Sequence, residues 1–216
     1  MMYFLQNSTP DGMFIRFNAC FTSGELKEMY DIFEKNETGE QKQQIIANEL
    51  RSFLNGLHRL SGRFVVVVGE RFCVEDADPK QHWDMALFAQ FQPTTKNLNP
   101  LDVVIVKGLL RTGSLPPAEH DIGMPFLRLP ILQTDLPSSF HSVVRSLLAS
   151  SSSAQGSICD RIARDIGHYL NQVLSTFRVL VIVGQSVSVL PPSERYVIYW
   201  GTADGLTVFV VQLGRI

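Results

Sequence analysis

Cysteine is scarce: Cys20, Cys73 and Cys159 are the only three in 216 residues, odd in number and far apart. No C-x-x-C pair occurs, which excludes a zinc knuckle and the disulfide framework of a small secreted domain. Cys20 and Cys73 fall in apolar strand patterns, where cysteine acts as a small core residue. Long hydrophobic runs are also missing, the longest β-branched stretch being Phe64 to Val68, far too short to cross a bilayer. Basic clusters are absent as well. With 19 Lys+Arg against 21 Asp+Glu the formal net charge is −2, so neither nucleic acid nor an anionic membrane is an expected partner. The opening residues MMYFLQN carry neither a basic stretch nor a long apolar one, so no signal peptide is read there and a cytoplasmic, reducing location is expected.

What is present is a core. Hydrophobic residues make up 45% and charged residues 19%, the balance of a globular chain rather than a disordered one.

The most informative feature is self-similarity. Residues 63–74, RFVVVVGERFCV, align with residues 178–189, RVLVIVGQSVSV, with five of twelve positions identical and four more exchanging one apolar residue for another. The flanks match in order: Gly12-Met13 with Gly123-Met124, Thr22-Ser23 with Thr134-Asp135, Leu54-Asn55 with Leu170-Asn171, and 102–107 with 207–212. This predicts a tandem duplication of a unit of about 105 residues, with repeats at 1–112 and 113–216 packed as one globule.

Each repeat reads as β-α-α-β-β-β. Strands are expected at 14–21 and 126–132, followed by helices capped by Ser23 and Asp135. Leu26, Met29, Tyr30 and Phe33 recur at helical spacing, as do Phe140, Val143, Val144, Leu147 and Leu148. The second helices carry longer stripes: Ile46, Leu50, Phe53, Leu54, Leu57 and Leu60 in one, and Ile158, Ile162, Ile166, Tyr169, Leu170, Val173 and Phe177 in the other. The valine-rich strands follow, each expected to bend at Gly69 or Gly184 and continue. Further strands are expected at 84–91, 101–110, 196–200 and 206–213, the last two joined by a turn at 201–205. The expected fold is α+β, with largely antiparallel sheets, helices on their outer faces and a pseudo-two-fold arrangement. The valine-rich strands do not alternate, so both of their faces should be dry, the second face being covered most simply by the other repeat, with a second subunit as the alternative.

Chemical motifs are few. The glycines after the valine runs lack both G-x-x-x-x-G-K-[ST] and G-x-G-x-x-G, so they mark no phosphate loop. Ser186 has the spacing of a nucleophile elbow, but Ser188 stands where the second glycine is needed and no helix pattern follows. No catalytic residues, metal ligands or cofactor are assigned. Where the repeats differ, residues 75–84 form an acidic segment with Asp76, Asp78, His82, Trp83 and Asp84, against the short 190–195. An exposed tryptophan is a common interface anchor, and Trp200, expected at the tip of the last hairpin, is a second candidate. All six lysines lie before residue 111 and only arginines after it, which nominates Arg145, Arg161 and Arg164 as a contact face.

The expected function is a non-enzymatic protein–protein interaction module, a scaffold, adaptor or regulatory subunit whose partners are other proteins, with self-association a further option. One alternative is an effector-binding sensor with a small molecule at the junction of the repeats. A second is a metal-dependent enzyme using the 75–84 segment.

Overall fold

In a computed structural model, the described residues are 11–57, 63–76, 85–108, 146, 158–173, 177–190, 197–203 and 206–215. They form two antiparallel sheets and three helices, an α+β protein. The elements are β1 (Met13–Asn18), α1 (Ser23–Asn36), α2 (Lys42–Gly56), β2 (Arg63–Gly69), β3 (Phe72–Asp76), β4 (Met85–Phe91), β5 (Leu101–Gly108), α3 (Ile158–Val173), β6 (Phe177–Gly184), β7 (Val187–Leu190), β8 (Val197–Ala203) and β9 (Leu206–Arg215). The expected strand at 126–132, the helix from Asp135 and the linker at 150–157 lie outside the described residues.

The elements group into two units that are not contiguous in sequence. The first holds β1, α1, α2, β2, β4, β5 and β7; the second holds β3, α3, β6, β8 and β9. Their sheets run in the orders β1-β4-β5-β2-β7 and β3-β6-β9-β8. Here the structure departs from the expectation of one bent strand. Each valine-rich run breaks at its glycine, and the two pieces join different sheets. Val66, Val67 and Val68 pair with Leu190, Val189 and Ser188, while Cys73, Val74 and Glu75 pair with Val183, Ile182 and Val181. Among the described residues, four strands rather than three therefore follow α2, and four follow α3.

Helix α1 forms as its apolar spacing predicts, with Leu26, Met29, Tyr30 and Phe33 buried. Its N-cap is Thr22, one residue before the expected Ser23. The Thr22 hydroxyl accepts from the Glu25 amide, and the Glu25 carboxylate accepts from the Thr22 amide at 2.8 Å. That reciprocal box satisfies two donors that helix geometry leaves open. Helix α2 buries Ile46, Ala47, Leu50 and Leu54, with Phe53 and Leu57 partly covered. Helix α3 buries Ile162, Ala163, Ile166 and Leu170. Phe177, expected in its stripe, instead opens β6.

In the first unit, Val66 and Val68 join the helix-facing cluster, whereas Val65 and Val67 lie outside it and are equally buried. In the second, Val179, Val181 and Val183 belong to the cluster with α3, and Leu180 and Ile182 are buried apart from it. Both faces of β2 and β6 are dry, as their unbroken apolar runs require. Each fully buried valine contributes roughly 1.5 kcal/mol or more by leaving water, so these two strands anchor their sheets.

Two polar fixtures close the first unit. Gly12 has φ +93°, and a Cβ there would collide with the Tyr30 hydroxyl. The Tyr30 hydroxyl donates to the Gln92 carbonyl at 3.0 Å, and the Gln92 amide donates to the Gly12 carbonyl at 2.6 Å. Only glycine fits a position that combines left-handed backbone with so close an approach. The second fixture is Glu37, 5% exposed just past α1. Its carboxylate accepts from the Thr94 amide (2.8 Å), the Thr94 hydroxyl (2.8 Å), the Thr95 amide (2.9 Å) and the Thr95 hydroxyl. Burial pulls this carboxyl upward, but the hydrogen bonds from Thr95 and Thr94 outweigh it and hold it below the ordinary carboxylate range.

Candidate functional site

Of the residues singled out in the acidic segment, Asp76 ends β3, its backbone opposite Leu180. Asp78, His82, Trp83 and Asp84 lie outside the described residues. Among the described residues, no group of three His, Cys, Asp or Glu is placed to hold a metal ion. Trp200 is not in a turn. Strand β8 runs on to Ala203, which puts Trp200 in mid-strand opposite Phe209 and shortens the expected 201–205 turn. Arg161 and Arg164 lie three residues apart on α3, hence one turn apart, with Arg161 half-buried and Arg164 exposed. His168 extends the exposed side, its Nε2 lying 3.1 Å from Gln172 Nε2. The structure thus places both arginines on one helix.

A surface that the sequence reading missed lies on β1. Met13 belongs to the helix-facing core and Ile15 packs partly against it, so Phe14 between them points to the opposite face. Phe14 is 60% exposed and Phe17 39% exposed. A bulge between Ile15 and Phe17 sets Phe14 opposite Gln90 and Phe17 opposite Phe88. The Arg16 guanidinium stacks over the Phe88 ring, 4.8 Å from its centroid. One strand further in, Gln90 donates its side-chain amide to Asp102 at 3.0 Å. Burial raises the Asp102 carboxyl above its usual value, against the Gln90 hydrogen bond and the Arg16 charge. Strand β1 ends its sheet among the described strands, so an aromatic face and a sheet edge coincide there. The signal was present in MFIRF: apolar residues at both parities of a strand mean that both faces are apolar.

The crossing from β2 to β3 is pinned by polar contacts. The Glu70 carboxylate lies 3.4 Å from Lys42 Nζ and accepts from the Asn99 amide at 2.9 Å, and the Glu70 backbone N–H donates to the Ser186 carbonyl at 3.1 Å. Gln43 at the start of α2 donates to the Ser186 hydroxyl at 3.0 Å. These bonds hold the chain where it leaves one sheet for the other. They form a structural joint and no constellation of nucleophile, base and oxyanion donor.

No helix among the described residues is long and apolar enough to cross a membrane. Comparison of the chain with known protein families, curated proteins and solved structures finds no match.

Proposed function

We propose that the chain is a non-enzymatic interaction module that receives an extended segment of a partner protein along the outer edge of β1. The carrying observation is the coincidence of that edge with exposed Phe14 and Phe17 and the stacked Arg16–Phe88 pair. Sheet edges are normally blunted by charge, proline or cover, because their open backbone groups template another strand. Strand β1 carries one charge, Arg16, beside a bulge, but that guanidinium is stacked on Phe88, and Phe14 and Phe17 stand exposed around it. Strand addition supplies backbone hydrogen bonds, while alternate side chains supply selectivity. Aromatic residues and arginine are also the types that dominate binding energy at interfaces.

The finer fold reading belongs with this proposal: a duplicated unit with pseudo-two-fold symmetry. It is supported by the correspondence of strand orders, β4-β5-β2-β7 in one sheet and β8-β9-β6-β3 in the other. Arg161 and Arg164 on α3 are proposed as a second contact face, and Trp83 with its acidic segment as a separate candidate contact.

The test is affinity purification of the full chain from cells, with partners identified by mass spectrometry and affinities then measured by calorimetry. The Phe14→Ala/Phe17→Ala variant should bind at least about tenfold more weakly, since each hot-spot truncation costs on the order of 1–2 kcal/mol. Its thermal midpoint should stay within about 2 °C of the parent, because both rings are exposed. Full affinity in that variant, with loss on Arg161→Glu/Arg164→Glu, would move the site to α3. A concentration-dependent dimer dissolved by the phenylalanine changes would identify the partner as a second copy.

A further inference from the structure

We propose that Cys73 and Cys159 form a reversible dithiol–disulfide pair that clamps the exchanged strand β3 to helix α3. Both cysteines are thiols and half-buried, and both pack against the same apolar cluster of the second unit. Cys73 sits in β3 with its backbone opposite Val183, and Cys159 occupies the first turn of α3, which packs on β3. The two side chains meet: the Cys73 thiol hydrogen-bonds the Cys159 sulfur. Foremost through that hydrogen bond, and against burial and the nearby Asp160 charge, the Cys159 thiol is lowered to about 7. A substantial fraction is therefore thiolate at neutral pH, the form that attacks a disulfide. Two thiols kept only as small apolar packing residues would need no such activation.

The oxidant is a low-molecular-weight disulfide such as oxidised glutathione. The Cys159 thiolate attacks one sulfur of the oxidant, forming a mixed disulfide and releasing one glutathione thiolate. The Cys73 thiol loses its proton and attacks the Cys159 sulfur, closing the Cys73–Cys159 bond and expelling the second glutathione thiolate. Two protein thiols are oxidised and one glutathione disulfide is reduced to two thiols, so electrons balance. The bond ties a strand that enters the second sheet from the first half of the chain to a helix of the second half. It stabilises the exchanged arrangement chiefly by restricting the unfolded chain.

The test uses the full chain with oxidised glutathione near neutral pH, quenched with N-ethylmaleimide and read by intact mass and peptide mapping. The expected product carries one maleimide, on Cys20, and a Cys73–Cys159 linked peptide. Its thermal midpoint should rise by about 5–10 °C and return on reduction with dithiothreitol. Cys73→Ser should stop the reaction at a stable glutathione adduct on Cys159, and Cys159→Ser should slow modification of Cys73 at least about tenfold. Three maleimides on the treated parent, a bond involving Cys20, a link between two chains, or a persistent glutathione adduct on the parent would each overturn the proposal. None of these readouts depends on the interaction surface of β1.

Discussion

The first sheet is completed by β7, a strand from late in the chain, and the second by β3, a strand from early in it. The two crossings that deliver these strands are built differently. At Gly69-Glu70-Arg71 the turn is held by a partly buried ion pair to Lys42 and by Asn99. At Gly184-Gln185-Ser186 both residues after the glycine are exposed, and Ser186 accepts from the Gln43 side chain and from the Glu70 backbone N–H. Two crossings with different polar fittings reach the same strand order. What they share is a fully buried valine-rich ladder before the glycine and a short strand after it that pairs with the other ladder. The exchange therefore rests on apolar pairing, and the ion pair is an accessory.

That comparison is broken most severely by charge in the ladders. Val66→Asp and Val181→Asp place a carboxylate at matching, fully buried positions of β2 and β6. Each should cost more than about 4 kcal/mol. Since each sheet borrows a strand from the other half, either change should abolish amide protection in both sheets at once, as read by hydrogen exchange. Loss confined to one sheet would show that the exchanged strands do not couple them.

Gly12→Ala comes next, at about 2–3 kcal/mol by denaturant titration, because it combines a positive φ with a collision against Tyr30. Smaller still is Glu37→Gln, expected to lose about 1–3 kcal/mol at neutral pH. Its pH dependence sharpens the assignment. The folded-state value of Glu37 lies below the unfolded one, so its contribution is complete above the unfolded value and fades as pH falls through the folded one. The parent should therefore lose more stability than Glu37→Gln between about pH 5 and pH 3. An equal loss would mean that Glu37 is not held by its threonines. Smallest is Glu70→Ala, expected to cost no more than about 1 kcal/mol with both sheets intact. A collapse on that change would make the ion pair, rather than the ladder, the origin of the exchange.

Helical content was legible wherever burial follows a local period: Leu26, Met29, Tyr30 and Phe33 are the face of α1, and Ile162, Ile166 and Leu170 the face of α3. The dry faces of β2 and β6 followed from unbroken apolar runs. The parting of β2 from β3 did not, because a strand that continues and a strand that changes sheets carry the same apolar pattern. Only the identity of the neighbour, residues 187–190 for β2, separates the two cases, and that neighbour is remote in sequence. The face of β1 escaped for a related reason. Phe14 and Phe17 read only as part of a strand at 14–21, and it is the order of the described strands that puts β1 at an edge. The Cys73–Cys159 contact joins positions with no motif between them, created by the same exchange.

The most direct measurement of the reciprocal exchange is a set of inter-strand nuclear Overhauser contacts on perdeuterated protein with amide protons restored. Contacts linking Val67 with Val189 and Val74 with Ile182 are the expected result. Amide contacts pairing β2 residues with β3 residues, as in an ordinary hairpin, would contradict it.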